Sequence, residues 1–466
     1  MLINSINSDS TICALATAMG GAIGIIRVSG NRTIEIVNSI FTKNLNEAKP
    51  NTVHYGHIIN EQGKIIDEVL ISIFHAPHSY TGENSAEISC HGSQYILSTV
   101  LELLIKNGAT LAKPGEFTQR AYLNGKIDLS QAEAVADLIS STTEATHNIA
   151  ISQLKGHFSS ELHILRDQLL HLTTLLELEL DFSDHEELEF ADRGELLEIA
   201  RKIDKKITSL AQSFETGEAL KKGVPVAIIG NTNVGKSTLL NKLLKEDRAI
   251  VSDIHGTTRD TIEDTVVING VQFRFIDTAG IRQTEDKIEQ IGIERTYMSI
   301  ERAKIIIWLI DKTPSSFDIE DIKNRLKDKK LIIAFNKTDI PSSKEEIATF
   351  KHNEDKILTL PHRSVFISAK ENLNIDLLEK VIYEAANIPE IKDNDVIVTS
   401  ARHYEALIHA HTNLQRVIEG LSHGLSGDLI SEDLRITLND LSEITGGAIT
   451  PQETLNNIFA HFCVGK

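Results

Sequence analysis

The chain has 466 residues, 41% hydrophobic and 24% charged, which is too long for one ordinary core and suits a folded protein of roughly two to four domains. A formal net charge of -19 excludes attraction of a phosphate backbone by the overall field, so a nucleic-acid partner needs a local basic patch or a second protein. Cys13, Cys90 and Cys463 lack paired spacing, which excludes a disulfide scaffold or zinc finger; with no apolar leader or membrane-length run, the expected compartment is the cytoplasm.

Residues 1–125 read as an α+β domain, with β-like runs at Ala22–Val28 and Val69–Phe74 and turn signals at Gly63, Pro77 and Gly82. Gln94–Lys106 is amphipathic and predicts a helix. From 126 to 220 the pattern is all-α. Leu162, Leu165, Leu169, Leu172 and Leu176 lay one stripe along a long helix, the mark of a bundle core or a dimer seam. Glu177–Glu198 holds ten acidic residues against one arginine and reads as a solvated face. Gly223 and Pro225 end the helical pattern. Across 221–384, the strands Val226–Ile229, Phe273–Ile276, Ile305–Ile310, Leu331–Phe335 and Val365–Ile367 alternate with helical segments, predicting an α/β domain with a mostly parallel sheet. Asn269-Gly270 marks a hairpin and one antiparallel edge pair. Leu407, Leu414, Val417 and Leu421 restore helical spacing in 385–466. The simplest architecture inserts the α/β domain into a helical domain whose two parts flank it.

Gly230-Asn-Thr-Asn-Val-Gly-Lys-Ser237 follows an apolar strand and precedes the helical segment Thr238–Leu244, the context a phosphate-binding loop requires. Its glycines let backbone N–H groups curl around phosphates, and the helix N-terminus adds its positive dipole end. Lys236 is placed for the β- and γ-phosphates and the Ser237 hydroxyl for Mg2+, with Asn233, Val234, Gly235 and Thr238 completing the cradle. In Asn336-Lys337-Thr338-Asp339, the Asp339 carboxylate can accept both the N1 and N2 hydrogens of guanine, whereas adenine presents an acceptor at N1. Ser368-Ala369-Lys370 closes over the base. Asp277-Thr278-Ala279-Gly280 ends a strand: Asp277 serves the Mg2+ shell and Gly280 the approach to the γ-phosphate. Thr258, in Gly256-Thr-Thr-Arg-Asp260, is a further Mg2+ ligand. These motifs predict a GTP hydrolase that turns GTP into GDP. Ile281 occupies the place of the glutamine that orients water in some GTPases, leaving Glu285, Asp286 and Glu289 as nearby carboxylates. Arg282 and Arg295 read as surface charges.

Further segments lie outside the nucleotide motifs: Pro114-Gly-Glu-Phe-Thr-Gln-Arg-Ala121, Leu123-Asn-Gly-Lys126, Asp128-Leu-Ser-Gln-Ala-Glu-Ala-Val135 and the closing Cys463-Val-Gly-Lys466. With them the chain resembles, from end to end, the tRNA-modification GTPases of the MnmE (TrmE) family. That resemblance implies a folate-binding, dimerising N-terminal domain, a helical domain and an inserted G domain. It implies a homodimer joined to a flavoprotein of the MnmG (GidA) type as a heterotetramer. Together they would install an aminomethyl-type group at C5 of a tRNA wobble uridine, with the carbon from a tetrahydrofolate derivative. Arg27, Glu87, Lys126 and Lys466 resemble the folate contacts, and Cys463 resembles the family's cysteine near that pocket. The family's G domain implies activation by K+, held by Asn233 and the backbone around Ser252, Ile254 and Thr257, with Glu289 as the water-orienting carboxylate. Thr232 stands where the family usually has proline, and Ala16-Thr-Ala-Met-Gly-Gly21 departs from its usual Pro-Pro-Gly-Arg-Gly character. The G-domain motifs alone also fit a ribosome-assembly GTPase, although no KH-like Gly-x-x-Gly module is evident. A nucleotide-gated dimer with a scaffolding helical region is the non-enzymatic alternative.

Overall fold

The computed structural model describes residues 10–181, 193–246, 264–276, 297–340, 345–351, 362–389 and 395–447, together with 455, 458–460, 462 and 465. The chain forms two compact units. One comprises Met1–Ser140, Gln153–Asp204 and His409–Lys466, the other Ser141–Ser152 and Lys205–Ile408.

The first unit is built on a six-stranded sheet of order β3-β4-β5-β2-β1-β6: β1 (Ile12–Leu15), β2 (Ile23–Ser29), β3 (Thr52–Ile59), β4 (Ile65–Phe74), β5 (Ser85–His91) and β6 (Thr110–Leu111). Its pairs are antiparallel except β1–β6. The two-residue strand period sends Ile26, Val28, Ile71, Ile73 and Ile88 into one core with α1 (Thr33–Ile40) and α2 (Gln94–Lys106). The same period leaves Arg27 and Glu87 on the opposite face, directly paired across β2 and β5. α3 (Glu116–Leu123), α4 (Leu129–Ser140) and α6 (His157–Asp181) follow. All five leucines of the stripe are at most 2% exposed, and α6 packs against helix Gly427–Thr445. The stripe is therefore bundle core.

The second unit carries a sheet of order β12-β11-β10-β7-β9-β8: β7 (Val224–Ile229), β8 (Asp264–Ile268), β9 (Val271–Phe275), β10 (Ile305–Ile310), β11 (Lys330–Phe335) and β12 (His362–Phe366). It is parallel apart from β8–β9, as the alternating pattern predicts. Asn269 and Gly270 have φ of 49° and 78°, the left-handed pair that a tight hairpin turn demands. Every residue of β10 is buried, with Ile305, Ile307 and Leu309 in one core and Ile306, Trp308 and Ile310 in another. This strand is covered on both faces, which explains its uninterrupted apolar run. In α5 (Glu144–Leu154), Ile149 joins the first of these cores, and just before that helix Thr142 Oγ1 donates to Gln272 Oε1 of β9 at 3.1 Å. Among the described residues no helix is long and apolar enough to cross a membrane.

Candidate functional site

The phosphate loop leaves the end of β7 and enters the helix Lys236–Glu246. Gly230 and Gly235 adopt φ of 147° and 103°. A Cβ on Gly230 would sit 2.2 Å from the Leu309 carbonyl oxygen, and one on Gly235 would sit 2.4 Å from Asn336 Nδ2, so any side chain would break the loop. Asn233 is exposed at φ 57°, a conformation asparagine tolerates. Val234 is buried in the sheet core, while Gly235 and Ser237 are half-buried and Thr238 is exposed. Lys236 Nζ donates to the carbonyls of Gly230 and Asn231 at 2.6 and 2.8 Å. Burial lowers its pKa from the ordinary lysine value, so an anion beside it stabilises the charged form.

Asn336 joins three parts of this site. It is 3% exposed; its Nδ2 donates to the Val234 carbonyl at 2.8 Å, and its Oδ1 accepts from the Ala369 N–H at 3.0 Å. The phosphate loop, the Asn336–Asp339 segment and Ser368–Lys370 are thus tied through one amide. Ser368 and Ala369 are buried and Lys370 is exposed. Asp339 is exposed, and a hydrogen bond with Ser368 holds its carboxyl below the usual aspartate range. It is ionised at neutral pH and presents an acceptor. Lys337, at φ 61°, donates to Asp311 Oδ2 at 2.7 Å. Asp311 was not singled out from sequence; its only signal is its position just after β10.

The first unit holds a second constellation. Arg27 Nε and Nη2 donate to Glu87 Oε1 at 3.0 and 2.8 Å, so both bonds end on one carboxylate oxygen. The side chains are 20% and 29% exposed, which leaves the pair open to a ligand. Arg27 Nη1 also donates to the Gly465 carbonyl at 3.2 Å, bringing the last described residue of the chain to β2. The guanidinium carbon lies 5.6 Å from the Tyr80 ring centre and 5.7 Å from that of Phe117. Lys126 is exposed; its stem passes Gly82 and its Nζ donates to the Pro77 carbonyl at 3.0 Å. The loop at Ala16–Gly21 is anchored by Ala16, whose N–H donates to the Ile25 carbonyl, and by Thr17 Oγ1, which accepts from the Ile25 N–H.

Burial pushes the thiols of Cys13 and Cys90 up to about 11 and about 12, so neither supplies a thiolate at neutral pH. Ser252, Ile254, Thr257, Thr258, Asp277, Thr278, Ala279, Gly280, Glu289, Cys463 and Lys466 lie outside the described residues, as do Ile281, Arg282, Glu285, Asp286 and Arg295. Among the described residues no group of three His, Cys, Asp or Glu stands ready for a metal.

The comparisons agree from one end of the chain to the other. A family model described as the MnmE helical domain matches residues 129–463, and one described as the GTP-binding protein TrmE N-terminus matches residues 11–126. The chain is 54% identical to the tRNA modification GTPase MnmE of Phocaeicola vulgatus, covering 99% of each. It is 54% identical to that of Bacteroides thetaiotaomicron over 98% of this chain and 100% of the relative. It is 49% identical to that of Porphyromonas gingivalis over 100% of both.

Proposed function

From the premise that the chain belongs to the MnmE family of tRNA modification GTPases, we propose that it couples GTP hydrolysis to remodelling of the tRNA wobble uridine. It is a GTP hydrolase that acts in tRNA modification. The observation that carries the nucleotide half is the Asn336 amide, which joins the phosphate loop to the segment carrying Asp339.

In the proposed cycle Lys236 leaves the carbonyls of its own loop for the β- and γ-phosphate oxygens, and Asp339 accepts from guanine N1 and N2. Glu289 orients the attacking water. When bound, Mg2+ and K+ neutralise charge on the phosphate oxygens. Ser237 and Thr258 supply oxygens for Mg2+, with Asp277 in its shell. Asn233 and the backbone of Ser252, Ile254 and Thr257 do so for K+. An all-oxygen donor set suits such hard cations.

The second half of the proposal is a tetrahydrofolate derivative at Arg27, Glu87, Lys126 and Lys466. Support comes from the open Arg27–Glu87 pair: Glu87 Oε2 is an acceptor for pterin-type N–H groups and Arg27 holds that carboxylate in place, while the lysines suit folate carboxylates. Cys463 lies three residues from Lys466 in sequence, on the tail that reaches Arg27 through Gly465. The working assembly is a cytoplasmic homodimer with a flavoprotein of the MnmG type, which carries the flavin and nicotinamide chemistry needed at C5 of the uridine. Calorimetry with 5-formyltetrahydrofolate tests the pocket: Lys126→Ala is expected to weaken binding, and unchanged affinity would remove Lys126 from it.

A further inference from the structure

The Arg27–Glu87 pocket is roofed by the loop that joins β4 to β5, and that loop is fastened by charge. Glu83 accepts from Arg120 Nη1 through both carboxylate oxygens, at 3.1 and 3.3 Å, and its Oε2 also accepts from the Ser29 hydroxyl at 2.8 Å. Arg120 Nη2 donates to Glu116 Oε1 at 3.0 Å and to Ser10 Oγ at 3.0 Å, while Nη1 donates to the Ser10 carbonyl at 2.8 Å. The Arg120 side chain is 3% exposed and its two carboxylate partners are 14% and 10% exposed. Apolar packing would hold α3 against the sheet at least as cheaply as a desolvated guanidinium between two carboxylates. What the ionic arrangement adds is direction: one planar guanidinium holds Glu83 at Nη1 and Glu116 at Nη2, which few geometries allow.

That direction is transmitted to the pocket through α3. Phe117 lies under Arg27, and Thr118 Oγ1 is 2.8 Å from the Tyr80 hydroxyl. Arg120, on the same helix, grips Glu83 three residues beyond Tyr80. Asn124 Nδ2 donates to the Thr81 carbonyl at 2.7 Å, fixing the residue next to Tyr80. One short helix thus sets the Tyr80 ring over Arg27 from below and from the far side of the loop.

We propose that Arg120 and Glu83 are positioning residues: their buried ion pair fixes the Tyr80 ring over Arg27 and thereby sets affinity for the pterin of a folate, without either residue touching it. The proposal rests on the folate reading of this pocket. A double-mutant cycle on the full chain tests it, with binding of 5-formyltetrahydrofolate followed by calorimetry. Glu83→Gln is expected to weaken binding about tenfold, the lower end for loss of a charge-assisted hydrogen bond, with GTP turnover unchanged. Tyr80→Ala is expected to weaken it as well, and the double variant to bind no worse than Tyr80→Ala alone, because both changes remove one wall. Simple destabilisation would not produce that non-additivity. Arg120→Lys keeps every charge but loses the fork, so it provides the same comparison if Glu83→Gln unfolds at lower temperature. Wild-type affinity in Glu83→Gln and Arg120→Lys, or losses that multiply in the double variant, would overturn the positioning role while Arg27→Ala still abolishes binding. If Arg27→Ala also binds normally, the folate reading itself fails and takes the proposal with it.

Discussion

Arg27 in the first unit and Lys236 in the second are both cations at a candidate ligand site, yet the fold holds them in different ways. Arg27 is tied to the carboxylate of Glu87, a charged partner already in place at 2.8 Å. Lys236 is tied to two carbonyls of its own loop, which are neutral, and burial disfavours its charge. A phosphate therefore relieves an electrostatic deficit at Lys236. A carboxylate arriving at Arg27 meets a cation that is already neutralised. On the proposed reading, the nucleotide site would gain affinity from charge, whereas the N-terminal pocket would select by hydrogen-bond geometry and by its aromatic walls.

The largest effect is expected at Lys236. Lys236→Ala is expected to slow GTP hydrolysis by about 10²–10³-fold, the scale for removing one donor to developing phosphate charge, while 5-formyltetrahydrofolate binding stays normal. Next comes Asp339→Asn, expected to weaken GTP binding by about ten- to a hundredfold by loss of a charged acceptor, as read by nucleotide titration. The Ser368 bond lowers the Asp339 pKa, so recognition of guanine persists in mild acid and is lost only as pH falls through that lowered value. Exchanging K+ for Na+ at equal ionic strength should slow turnover; equal rates across several protein concentrations would remove K+ from the account. The smallest effect concerns the titration of Lys236. Bound phosphate raises a pKa that burial has lowered, so GTP affinity falls as pH rises through the free-state value, by at most about tenfold per pH unit.

The same contrast explains what the sequence made legible. A phosphate cradle is made of consecutive backbone groups, so Gly230–Ser237 and the strand and helix around it are readable as a string. The hairpin at Asn269-Gly270 and the leucine stripe of α6 are equally local. The N-terminal pocket is assembled by register: Arg27 and Glu87 meet across 60 residues, and Arg27 meets Gly465 across 438. No spacing rule encodes such meetings, and only resemblance to a family brought these residues together beforehand. Asp311 was missed for the same reason, since its partner Lys337 lies 26 residues away on another loop. The placing of Thr142 and Ile149 is equally non-local: they look like any helical-region residues, yet they belong to the nucleotide-binding unit.

The most direct test is nucleoside mass analysis of wobble uridines from cells lacking this gene, complemented with wild type, Asp339→Asn or Arg27→Ala. The expected result is loss of the C5-modified uridine in the deletion strain, full restoration by wild type, and failure of both variants, one at each site. Normal modification in the uncomplemented strain, or full restoration by both variants, would contradict it.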